Sequence, residues 1–83
     1  MSQRLHYSQH ALQRLDERGI LRRWIEAVVG TRPSVYGRDE VFTLSSAQLG
    51  TRFGLDFRLG LRVVVDGVRH RIVTAHWVDG SAA

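Results

Sequence analysis

The sequence predicts an α+β fold, with two N-terminal helices packed on one face of a three- to four-stranded antiparallel sheet. Three observations carry this. Apolar residues recur at helical spacing up to Pro33, they occupy alternate positions from Phe53 onward, and Asp66-Gly67 stands between two apolar runs as a tight-turn signal. Helices followed by antiparallel strands form segregated layers, the helices covering one sheet face and the other face left open.

In chain order, Ser8 is a helix cap for "QHALQRLDER", and Gly19 can take the left-handed conformation that closes it. Ile20, Trp24, Ile25, Val28 and Val29 then repeat at helical spacing as far as Gly30, with Pro33 as a stop, which predicts a second helix joined to the first at Gly19. "DEVFTLS" reads as a strand. Every odd position from Phe53 to Val65 is apolar, so this stretch reads as strand interrupted or bent at Gly54 and Gly60. "VRHRIVTAHW" supplies the returning strand.

The 83 residues are expected to form one domain over 1–83, since a single core serves a chain of this length. No apolar run approaches the ~20 residues needed to cross a bilayer, and "MSQRLHYSQH" lacks the apolar segment of a secretion signal, so a cytoplasmic protein with no membrane partner is expected. With no cysteine, disulfides and thiol chemistry are excluded. All twelve basic residues are arginine and the net charge is +4, which points to an anionic partner such as RNA, although a GC-rich genome also favours arginine.

If Asp66-Gly67 is the whole hairpin loop, Val65 pairs with Val68, Val63 with His70, Leu61 with Ile72, Leu59 with Thr74 and Phe57 with His76, on the helix-covered face. The open face then sets Arg62 against Arg71 and Arg58 beside Ala75, with Trp77 at one end. Like charges directly opposite on a sheet destabilise it by up to ~1 kcal/mol. A phosphate gripped by Arg62 and Arg71 would compensate, and Trp77 can stack a base. The same residues can also simply splay into water. Val64, Val73 and Ala75 make an apolar strip with this basic margin, suited to a protein partner or a second copy of the chain; the tail "VDGSAA" is short and small for covering it.

On the first helix, His10, Arg14 and Arg18 fall on one stripe beside the buried Ala11 and Leu15. His10 is a candidate acid or base, and Arg14 and Arg18 candidate phosphate holders; equally, the arginines can pair with Asp16 or Glu17 at the surface. His6 and His10 are four apart and His70 and His76 share a strand face, but no metal or cofactor is expected, because His6 precedes the helix that Ser8 caps and, without cysteine, a zinc site needs three or four well-placed histidines and carboxylates.

The pattern "YSQHALQRLDERGI", a tryptophan-containing second helix and the ending "LRVVVDGVRHRIVTAHW" together resemble a bacterial and phage family of small domains of no established function. The shared positions are His10, Arg14, Arg18, Gly19, Ile20 and Thr74. Leu21 departs from the family, which commonly has a helix-capping serine or threonine there. That family is distantly similar to the RelE-type toxins, and "RIVTAH" resembles a strand of their Brn branch, with His76 in place of an arginine. The resemblance implies a RelE-like fold and metal-independent cleavage of RNA, restrained by an antitoxin-like protein. On this reading His10, Arg14 and His76 are catalytic candidates, and Arg18, Arg58, Arg62, Arg71 and Trp77 contact nucleic acid. The rival reading is a binding module that docks protein or nucleic acid without cleaving it. The helix stripe and the strand candidates can lie on opposite faces, in which case one site must be chosen.

Overall fold

A computed structural model of the chain describes residues 5–79, so the last four residues of the C-terminal tail lie outside it. The elements in chain order are β1 (His6–Tyr7), α1 (Gln9–Arg18), α2 (Arg22–Val29), β2 (Ser34–Tyr36), β3 (Asp39–Leu44), α3 (Ser46–Phe53), β4 (Gly60–Asp66) and β5 (Arg71–Val78). They make an α+β fold with three helices among the described residues and one five-stranded mixed sheet of order β1-β5-β4-β3-β2.

The helical hairpin follows local chemistry. Ser8 accepts a hydrogen bond from the Ala11 N–H at 3.0 Å, and Gly19, at φ 65°, lets the Ile20 N–H reach back to Leu15 O at 2.9 Å. Both bonds satisfy backbone groups that a helix end otherwise leaves bare. α2 lacks such help: its cap residue is Leu21, whose side chain makes no capping bond and is 43% exposed. Replacing Leu21 by serine is expected to stabilise the fold by about 1 kcal/mol, read as a rise in the urea midpoint; an unchanged or lowered midpoint would show that the Leu21 side chain matters in the folded state.

The sheet corrects the expectation of two helices on three or four antiparallel strands. β1 joins in parallel beside β5, and β2 adds an outer strand to β3. α3 occupies chain that the odd-position pattern assigns in part to a strand. Ser45 accepts from the Gln48 N–H, the Gln48 side chain accepts from the Ser45 N–H, and Gly54 closes the helix at φ 67°. These reciprocal caps are local and outweigh the alternation. Leu55 and Leu59, read as inward residues of that strand, are 49% and 43% exposed in the α3–β4 loop, and β4 begins only at Gly60.

The β4–β5 turn also differs. Asp66 does not open a two-residue loop. Its carboxylate accepts from the Val68 and Arg69 N–H groups at 3.0 and 3.3 Å, bonds that hold it below the usual carboxylate range. The loop therefore runs through four residues, ending at His70 with φ 54°. Gly67 fits where a Cβ would stand 2.7 Å from Arg38 O, so its role is close approach between turns. The returning strand is displaced accordingly: Asp66 faces Arg71 and Val65 faces Ile72.

Between Val64 and Val65 the register shifts again, because Val64 faces Thr74 and leaves Val73 as an extra residue on β5. Such a bulge reverses which odd or even positions face the core. Ile72 and Ala75 are both fully buried although three residues apart. They join Leu61, Val63, Val65, Phe42 and Leu44 on the covered side of the sheet, against Ala11 and Leu15 of α1, Ile25 and Val28 of α2, and Leu49 of α3. Each of the leucine, isoleucine, valine and phenylalanine side chains among them contributes roughly 1.5–3 kcal/mol through removal from water. Among the described residues no polar or charged side chain is buried, so packing alone supplies the core.

Candidate nucleic-acid and catalytic site

The bulge decides where the reactive side chains stand. Beyond it, Ala75 and Trp77 fall on the covered side and Thr74 and His76 on the open one, the reverse of the sequence expectation for this segment. A row crosses the open face: Thr43 faces Arg62, and Arg62 faces His76. Directly opposed side chains on neighbouring strands have Cβ atoms about 5 Å apart. Arg62 is thus the cross-strand neighbour of His76, and the expected Arg62–Arg71 pair does not exist.

Arg71 instead lies opposite Asp66, with His6 on its other side. Asp39 is next to Asp66 on β3, so this end of the open face carries acids as well as bases. Trp77 is also corrected. Its indole packs on the helix side against Trp24 and Phe57, with ring centroids 5.8 and 6.5 Å away, and is not an open-face stacking platform beside Arg62. Arg58 sits in the α3–β4 loop, where it borders the same aromatic group and not the Arg62 row.

The helix stripe meets the strand at one point. β1 pairs with β5 at Arg71 and Ile72, and among the described residues the edge of β5 beyond them has no strand beside it. Arg18 occupies that edge: its guanidinium donates to Ala75 O at 2.6 Å and approaches Thr74 Oγ1 at 3.5 Å, while its own carbonyl accepts from Trp77 Nε1 at 2.9 Å. A charged donor on an otherwise open strand edge contributes about 1.5 kcal/mol and keeps other chains from pairing there. Arg14 is engaged elsewhere on α1, bonded to Glu17 at 2.9 Å and in contact with His10 Nε2 at 3.5 Å. His10 and Arg14 therefore form a surface group with Glu17, and Arg18 alone of the stripe joins the strand residues.

His76 is held below the ordinary imidazole pKa of 6.5, first by partial burial and then by the positive charges of Arg62 and Arg18. Both causes disfavour the imidazolium, so the ring is neutral at pH 7 and free to accept a proton. The same shift links to stability. Below pH 6.5 the unfolded chain binds a proton at this residue more readily than the folded one, so stability is full above that pH and declines as pH falls through the folded value. Substituting Arg62 by glutamine removes a like charge and is expected to raise the His76 midpoint toward 6.5, followed by NMR titration of its ring protons. A midpoint that stays in place would deny the electrostatic contact.

Thr43 was not legible as a site residue, because its place depends on the β3–β4 register, which no local pattern reports. Trp24 was assigned to helix packing alone. Among the described residues no group of three or more histidine, cysteine, aspartate or glutamate side chains is arranged to hold a metal ion, and no helix is long and apolar enough to cross a membrane. Compared with protein-family models, curated proteins and solved structures, the chain matches none of them.

Proposed function

We propose that the protein is a toxin-like endoribonuclease that breaks RNA by internal phosphodiester transfer, with His76 as the base. The observation that carries this reading is the placement of the His76 imidazole on the open sheet face between two arginines, Arg62 across the strand and Arg18 at the edge. His76 takes the proton of a ribose 2′-hydroxyl, and the 2′-oxygen attacks the adjacent phosphorus. The bond to the 5′-oxygen breaks, that oxygen leaves with a proton from water, the resulting hydroxide takes the proton held by His76, and a 2′,3′-cyclic phosphate remains. Arg62 and Arg18 stabilise the negative charge that grows on the phosphoryl oxygens. Thr74 and Thr43, which flank the row, supply hydroxyls for the sugar or phosphate.

The resemblance to the H-x3-R-x3-R-G-I domains and to the Brn branch of RelE-type toxins supports the same reading, since its motif residues Arg18, Thr74 and the position of His76 meet at one place. With it comes a RelE-like assignment of the fold, a cytoplasmic site of action on RNA, and an antitoxin-like protein as the restraining partner. The motif residues His10 and Arg14 serve the surface of α1 and not the chemistry.

Expression of the chain in a bacterium tests the proposal. Growth arrest and RNA cleavage that persists in EDTA, leaving 2′,3′-cyclic phosphate ends, is the expected result. RNA binding without cleavage by the purified protein would overturn it and identify a non-catalytic module.

A further inference from the structure

Around the uncovered edge of β5 from His76 lies a second feature that the cleavage reading does not use. Trp24 of α2, Phe57 of the α3–β4 loop and Trp77 of β5 form an aromatic group, with Trp24 edge-on to Phe57 at 5.1 Å and to Trp77 at 5.8 Å. These rings, with Gly19, Asp56 and Arg58, line a cleft of about 430 Å³ that opens to solvent. The Trp24 indole N–H is buried and has no hydrogen-bond partner.

We infer that this cleft takes a nucleobase of the RNA, with the Trp24, Phe57 and Trp77 rings as its walls and Arg58 and Asp56 as the polar recognising groups. Four features favour a base over another occupant. Its flat face suits aromatic walls of differing tilt, and stacking on them needs no particular sequence. The amino groups of a base suit the Asp56 carboxylate. Arg58 adds a positive charge for the attached phosphate. The cleft is also continuous with the proposed chemistry: Gly19 lines it, and the preceding residue, Arg18, holds the Trp77 indole by its carbonyl and reaches Thr74 and Ala75 by its guanidinium. A nucleotide whose base enters here leads its sugar and phosphate past Gly19 and Arg18 toward His76. The inference rests on the RNA-cleaving reading for its ligand, and places substrate contact on both sides of one strand edge.

The chain has two tryptophans, Trp24 and Trp77, and both line the cleft, so intrinsic fluorescence reports occupancy directly. The full chain is titrated with the four ribonucleoside 5′-monophosphates and, as a control, with ribose 5-phosphate. Saturable quenching by at least one nucleotide and none by the sugar phosphate is expected. Trp24→Phe replaces the indole by a smaller ring and so reduces the stacking surface; it is expected to weaken nucleotide binding about fivefold or more, read from Trp77, with the far-UV circular dichroism unchanged. Arg58→Gln is expected to weaken binding of the monophosphates while leaving that of the uncharged nucleosides in place. Absence of saturable quenching by every nucleotide, or equal quenching by ribose 5-phosphate, would overturn the inference, as would Trp24→Phe and Arg58→Gln variants that bind as the parent does. Cleavage assays separate this from the function itself. RNA cleaved normally by Trp24→Phe, with KM unchanged, removes the base cleft and leaves the nuclease; nucleotides bound in the cleft of a protein that cleaves no RNA leave the cleft and remove the nuclease.

Discussion

On the proposed mechanism, replacing His76 by alanine is expected to lower RNA cleavage by about 100- to 10,000-fold, the usual contribution of a positioned general base. The loss falls on kcat, because the imidazole acts on the 2′-hydroxyl while Arg62 and the rest of the surface remain to bind RNA. The pH profile carries a second signature. The proposed mechanism needs the neutral ring, so activity is expected to fall as pH drops through the His76 pKa, which is held below 6.5. Arg62→Gln moves that acidic limb upward while also weakening charge stabilisation. His10→Ala is the decisive control, since His10 contacts Arg14 on the surface of α1. A larger loss from His10→Ala than from His76→Ala would transfer the chemistry to the helix stripe.

Leu61→Ala is expected to destabilise the fold by about 3 kcal/mol, as large-to-small changes in a packed core do. Leu61 is fully buried on β4, between Leu44 of β3 and Trp77 of β5, on the covered sheet face. For a chain of this size that is a fall in Tm of about 12 to 24 °C. Val64→Ala provides the contrast, because Val64 is half-buried on the open face between Val41 and Thr74. Its cost should stay below about 1 kcal/mol. Equal losses from the two variants, measured by thermal unfolding, would contradict the division of β4 into a covered and an open side.

The helical hairpin was legible residue by residue. Ser8, Gly19 and the spacing of Ala11 and Leu15 act within one turn of their own positions, and α1 has the bounds that "QHALQRLDER" predicts. α3 carried a local signal too, in Ser45 and Gln48, which the odd-position apolar pattern beginning at Phe53 overshadowed. Tertiary contacts settled the remainder. Phe57 is partly buried against Trp24 while Leu55 and Leu59 on the same sequence parity are exposed, so parity alone could not separate loop from strand.

By itself the sequence determined the α+β class, the caps and length of α1, the hairpin between helices, and the excess of arginine over acid. Each follows from chain neighbours or from composition. Only the tertiary structure decided that Asp66 anchors a four-residue turn, that Val73 is extra on β5, and hence that Arg62 meets His76 and not Arg71. The physical reason is the two-residue period of a strand: one added residue turns every later side chain to the other face. Whether that residue is accommodated depends on burying Ile72 and Ala75 together beneath α1, a contact between segments far apart in the chain.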